Sequence, residues 1–198
     1  MFEVYVFSAG LILFALAIIL FKTLKGKLVM PNLMVSIITF TSYAVMFAGL
    51  GLTVINGFNT YPTRWLFYAA SCSFLMYEVG LILKKSKEEL IEMISLNILV
   101  MITGYLASIT LGINQLIFLV ISTGCFVKNL MIINKTSRKS KFMKRVINYV
   151  SVTWSLFPIT WLLSPVFFGL INSFYTAVCY LFLDLFTKVI FGYITVRN

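Results

Sequence analysis

Lys188 and Asp184 stand four residues apart inside one apolar run, Ala177 to Val196. A charge at membrane depth is costly, so it is usually paired and usually functional. The spacing of four puts both side chains on one helix face, close enough to interact. A buried lysine can lose its proton and become a nucleophile that forms a Schiff base with an aldehyde. The carboxylate one turn away would then be the counter-ion. A purely structural ion pair is the plainer reading of the same two residues.

Two other stretches carry candidate chemistry. In Arg64-Trp-Leu-Phe67-Tyr68-Ala-Ala-Ser71-Cys72-Ser-Phe-Leu-Met-Tyr-Glu78, offsets of 3, 7 and 14 from Arg64 keep Phe67, Ser71 and Glu78 on nearly one helix face. That face offers a cation, an aromatic ring, a hydroxyl and a carboxylic acid. Arg64 could instead snorkel to an interface, and Glu78 could be a hydrogen-bonded acid near the opposite one. In Trp154-Ser-Leu-Phe157-Pro158-Ile-Thr-Trp161, two tryptophans seven apart flank a phenylalanine and form an aromatic wall. Pro158 breaks the backbone ladder and is expected to kink that helix. By itself such a wall is more often packing than a ligand clamp.

The elements that must position these residues follow from composition. The chain has 198 residues and is 61% hydrophobic, more than a water-soluble domain of this size can bury. Seven apolar runs approach the ~20 residues a spanning helix needs. They cover roughly 3–22, 32–55, 62–83, 88–109, 113–134, 144–165 and 170–195. The first, Val4 to Phe21, lacks the basic start and small-residue cleavage site of a removable signal and is expected to be a permanent helix. The fourth begins with Glu88, Glu89 and Glu92, and Ser86 followed by Glu89 resembles a capping box. The expected fold is an all-α, seven-transmembrane-helix bundle forming one domain, 1–198, in the lipid bilayer.

The formal charge of +10 does not point to nucleic acid, because the basic residues sit in short loops between apolar runs. Lys22, Lys25 and Lys27 follow the first run. Lys84, Lys85 and Lys87 follow the third, and Lys135, Arg138, Lys139, Lys141, Lys144 and Arg145 follow the fifth. The alternate loops carry no basic residue. The positive-inside rule puts the N-terminus outside and the C-terminus, with Arg197, in the cytoplasm. Lys128 reads as an interfacial anchor. Asp184 then lies about 6 Å to the extracellular side of Lys188, and Glu78 about 21 Å deeper than Arg64. The chain has no histidine, no glycine-rich phosphate loop and no metal-ligand spacing, so no metal site is expected. Cys72, Cys125 and Cys179 fall inside apolar runs and read as small hydrophobes.

Along most of its length the chain resembles the microbial rhodopsins. Asp184-Leu-Phe-Thr-Lys188-Val-Ile-Phe-Gly192 resembles their retinal-lysine helix, and Trp154…Phe157-Pro158…Trp161 resembles their sixth helix. Thr103-Gly104 and Ser122-Thr123 resemble pocket positions on the fourth and fifth. The triplet Phe67, Ser71, Glu78, with Cys72 after the serine, resembles the schizorhodopsins. That group is associated with Asgard archaea and consists of light-driven inward proton pumps.

The resemblance implies all-trans retinal bound covalently to Lys188. It implies contacts from Tyr68, Ser71, Cys72, Gly104, Ser122, Thr123, Phe126, Trp154, Phe157, Pro158, Trp161 and Asp184. Asp184 would be the counter-ion, balanced from outside by Arg64. Outward pumps carry a carboxylate where Phe67 stands, and phenylalanine cannot accept a proton. Thr176 also stands near a place where they keep an acid for proton release. The proton is therefore expected to leave toward Glu78 and the cytoplasm, with Glu78 either accepting it or drawing it along a water path. A photosensor or light-gated channel on the same scaffold is the alternative. A homo-trimer in the cell membrane of an archaeon or other prokaryote is implied by the resemblance alone.

Overall fold

A computed structural model describes residues 2–55, 57–135 and 140–197. The sequence-predicted topology charges at Arg138 and Lys139 lie outside them. Among the described residues, seven helices are long and apolar enough to cross a membrane. They are α1 (Glu3–Thr23), α2 (Val29–Phe47), α3 (Arg64–Ile82), α4 (Lys87–Ile109), α5 (Ile113–Asn134), α6 (Lys141–Leu163) and a seventh span, Ser173–Val196. The last is built of α7 (Ser173–Asp184), a π-helical turn (Leu185–Ile190) and α8 (Phe191–Val196). With no water in the bilayer core, helices satisfy every backbone group internally, which is why the apolar runs become helices.

The starts follow side-chain caps. Ser86 accepts the Glu89 N–H while Glu89 accepts the Ser86 N–H, the reciprocal box expected from sequence. Ser140 and Asn172 cap α6 and α7 through the N–H groups of Met143 and Tyr175. Pro158 stands inside α6, which continues unbroken from Lys141 to Leu163.

The second apolar run departs from expectation. It was predicted to be helical over 32–55, but α2 begins at Val29 and ends at Phe47. Pro31 lies in its first turn, where a missing N–H costs nothing. Gly49 and Gly51 take left-handed φ values of 71° and 75°, which stop the helix at little cost to glycine. Beyond them Thr53–Ile55 (β1) pairs antiparallel with Phe58–Thr60 (β2), so the bundle carries one short hairpin.

Two large clusters fill the interior. Phe7, Phe14, Phe21, Tyr43, Met46 and Leu181 join α1, α2 and α7. Val35, Leu75, Val79, Met93, Ile133, Ile147, Trp154 and Phe191 join the helices at the end bearing the lysine-rich loops. Two glycines set the closeness of packing against α2. A Cβ at Gly10 would enter the ring of Tyr43, and one at Gly192 would enter the amide of Asn32. Both contacts place α2 side chains described below.

Candidate functional site

The seventh span brings Asp184 and Lys188 together deep in the bundle. Lys188 Nζ lies 2.8 Å from Asp184 Oδ1, and both side chains are 1% exposed. Lys188 sits in the π-helical turn, a wider coil often found where a helix serves a site. The turn is braced from α6, where Tyr149 donates to the carbonyl of Phe186 at 2.7 Å and stacks on Phe191.

Asp184 is tied on its other oxygen by two phenols. Tyr43 of α2 and Tyr68 of α3 both donate to Oδ2, at 2.9 and 3.1 Å. Arg64 does not pair with Asp184 directly. Its Nη1 donates to the Tyr68 hydroxyl at 3.4 Å, so the phenol relays one charge to the other. Its guanidinium lies 4.6 Å over the ring of Tyr180. The buried face of α3 runs through Arg64, Tyr68, Ser71, Leu75 and Glu78, with Phe67 half-buried at its margin. Lys188 Nζ stands 4.3 Å from the centre of the Tyr68 ring.

A largely apolar cavity of about 210 Å³ lies alongside. Near the lysine its wall is Tyr68, Cys72 and Thr187. Across the bundle Gly104, Ser122, Thr123 and Phe126 line it, and Trp154, Phe157, Pro158 and Trp161 close it along α6. Ser71, Asp184 and Lys188 stand behind this wall, the lysine drawn onto its carboxylate. Toward the hairpin the cavity continues past Arg64 to Asn59, Tyr61, Ser173 and Thr176. Ser108 organises two of its aromatic walls. It accepts the indole N–H of Trp65 and of Trp161, each at 2.9 Å, and donates to the Gly104 carbonyl. A side chain on Gly104 would collide with Trp65.

Glu78 lies fully buried on the other side, toward the lysine-rich loops. Asn32 Nδ2 donates to its Oε1 at 2.8 Å, and the Thr195 hydroxyl donates to the same oxygen. Its Oε2 has no partner. Lys128 pairs with Glu92 at 2.6 Å on the half-exposed surface between α5 and α4.

Sequence reasoning missed Tyr43, Tyr180, Asn32, Thr195, Trp65 and Ser108. For α2 a signal existed. Asn32, Ser36, Thr39 and Tyr43 recur at intervals of four, three and four, the period of one helix face.

A family model described as bacteriorhodopsin-like protein matches residues 1–198. The chain belongs to this family. It is 26% identical to bacteriorhodopsin-I of Haloarcula marismortui over 88% of its length and 78% of that protein's. It is 25% identical to sensory rhodopsin-2 of Natronomonas pharaonis, over 81% of this chain and 71% of that one. Its structure resembles the crystal structure of schizorhodopsin 4 with a TM-score of 0.94, at 38% identity and 99% coverage of both chains. The chain is therefore a multi-pass membrane protein of a retinal-binding family whose members are light-driven transporters or sensors. Membership implies retinal on a lysine, and the structure fits that group. The Lys188 side chain is 1% exposed and lies deep within a membrane span. The apolar cavity is walled by its neighbours Tyr68, Cys72 and Thr187, and by Trp154 and Trp161 of α6.

Proposed function

We propose that this chain is a light-driven inward proton pump that carries all-trans retinal on Lys188, with its N-terminus extracellular. Bound there, retinal would supply light-driven isomerisation, and Lys188 Nζ would hold the proton to be moved. The residues around that proton set its direction. Asp184 holds the nitrogen from the hairpin side, and its second oxygen is committed to Tyr43 and Tyr68. Phe67 offers no acceptor there. Among the described residues only two acids are buried, and the other, Glu78, lies toward the lysine-rich loops. This asymmetry carries the proposal. By the positive-inside rule those loops are cytoplasmic, so a proton drawn toward Glu78 moves inward. The cavity extending from Arg64 to the hairpin supports proton return from the extracellular side. The schizorhodopsin 4 likeness adds support, and a homo-oligomer in a prokaryotic cell membrane is part of the same reading.

The test is external pH in an illuminated suspension of cells expressing the chain with added all-trans retinal. Alkalinisation abolished by a protonophore is the expected result. Acidification would make it an outward pump. Coloured cells with no pH change would favour a sensor, as the likeness to sensory rhodopsin-2 allows, or a channel.

A further inference from the structure

The inward reading leaves a distance to be crossed. Seven residues separate Ser71 from Glu78 on α3, and seven separate Lys188 from Thr195 beside Glu78, so about 10 Å of helix rise intervenes on each. A proton passes between groups at hydrogen-bond reach, so the transfer needs intermediate carriers.

The polar stripe on α2 spans that gap. Asn32, Ser36 and Tyr43 are 0% exposed and Thr39 is 1% exposed. Both ends of the stripe are fixed against the seventh span. Asn32 packs on Gly192, and Tyr43 donates to Asp184. Ser36 and Thr39 share that face, so they look onto the stretch between Asp184 and Gly192 that contains Lys188.

Their hydrogen bonding suits a carrier. Ser36 donates to the carbonyl of Asn32 at 2.9 Å, and Thr39 to that of Val35 at 2.7 Å. Each hydroxyl keeps lone pairs for an incoming donor and can hand its own proton on by turning its O–H away from the helix carbonyl. Beside the stripe, between the levels of Lys188 and Glu78, the apolar side chains of Val35, Leu75 and Phe191 pack together. At the inner end Asn32 Oδ1 and Glu78 Oε2 are buried acceptors without partners. In a membrane interior such polar groups are expensive to keep, and they mark ion and proton pathways.

We propose that Thr39 and Ser36 form the path by which the Lys188 Nζ proton reaches Glu78, linked by bridging water. Each hydroxyl accepts a proton on one side as it passes its own to the next oxygen, so neither gains nor loses net charge. The proposal rests on the inward-pump reading.

The competing role for Ser36 and Thr39 is helix packing, since small hydroxyl residues let membrane helices approach closely. The test is the S36A/T39V double variant, with threonine replaced by its near-isostere. The readouts are visible absorption, thermal bleaching, and the rate of proton delivery to the inner side after a flash, per pigment. The pigment is expected to form with its colour kept. Delivery is expected to slow about tenfold, below the hundredfold or more of a direct proton-transfer group. The hydroxyl-retaining variants Thr39→Ser and Ser36→Thr restore the rate. Normal delivery in the pigmented double variant overturns the path, as does slowing that these variants do not relieve. If neither the double variant nor the single variants Ser36→Ala and Thr39→Val form pigment, the stripe is structural and the path falls. Wild-type protein that fails to alkalinise the medium sinks the pump reading instead. Wild-type pumping with a normal double variant sinks the path alone.

Discussion

The two buried carboxyl groups sit in opposite kinds of surroundings. Asp184 has a cation at 2.8 Å, two phenol donors on its other oxygen and a guanidinium relayed through one of them. The cavity beside it continues to the hairpin end. Glu78 has two neutral donors on one oxygen, none on the other, and packs beside the apolar cluster of Val35, Leu75, Val79 and Phe191. A carboxylate tied by fixed opposite charges and hydrogen bonds holds a charge in one place. A carboxyl group with an uncommitted oxygen has capacity left for an arriving proton. On the proposed function, the first arrangement anchors the chromophore nitrogen and the second serves the exit.

The contrast breaks first at the lysines. Lys188→Ala should yield no visible pigment on addition of retinal. Lys85→Ala, which removes a side chain bonded to Glu89 and the Ile132 carbonyl at a helix end, should still colour. Asp184→Asn comes next. It leaves the charge at Lys188 without its partner, and breaking a buried pair from one side costs about 3–5 kcal/mol. Its thermal bleaching midpoint should fall steeply. Glu78→Gln has no ionic partner to strand, so its midpoint should stay near wild type while inward transport per pigment falls about a hundredfold. Equal loss of midpoint in the two carboxamide variants would erase the distinction between the two ends.

How much of this was legible in the sequence depends on the kind of residue. The seven spans were readable because twenty apolar residues have few other uses. Lys188, Asp184, Arg64 and Glu78 stood out because charges are rare at depth, and Trp154, Pro158 and Trp161 only through their company with Lys188. The end of α2 was not readable from hydropathy. Leu50, Leu52 and Val54 continue the apolar run, whereas left-handed glycines end the helix. The π-helical turn at Lys188 is a shift of backbone register with no compositional mark. Asn32, Tyr43, Thr195 and Ser108 are uncharged and ordinary in membrane helices. Only the helices packed against them reveal their partners, and Gly10, Gly104 and Gly192 mark the close approaches involved.

Gly192→Ala sharpens the comparison at the Glu78 end. Its methyl group must displace the Asn32 amide, a local overpacking of about 1–3 kcal/mol. Asp184 and the cavity wall are untouched, so colour should persist while proton delivery slows. A shifted absorption band with unchanged delivery would mean that the two ends are not separable in this way.

The smallest expected effect tests how the Asp184 end shares its load. Tyr43→Phe removes one hydroxyl and keeps the ring, which stacks on Phe14 at 5.7 Å and occupies the space Gly10 leaves open. Asp184 Oδ2 retains its bond from Tyr68. A hydrogen bond to a charged group contributes about 1.5–3 kcal/mol, and the remaining donor should hold the loss near the lower figure. Tyr68→Phe removes an equivalent donor and also the oxygen through which Arg64 is relayed, so its bleaching midpoint should fall further. In the double variant the carboxylate loses both phenols, and the combined loss should exceed the sum of the single losses. Strict additivity would show that the two tyrosines act independently and that the network around Asp184 is two separate contacts.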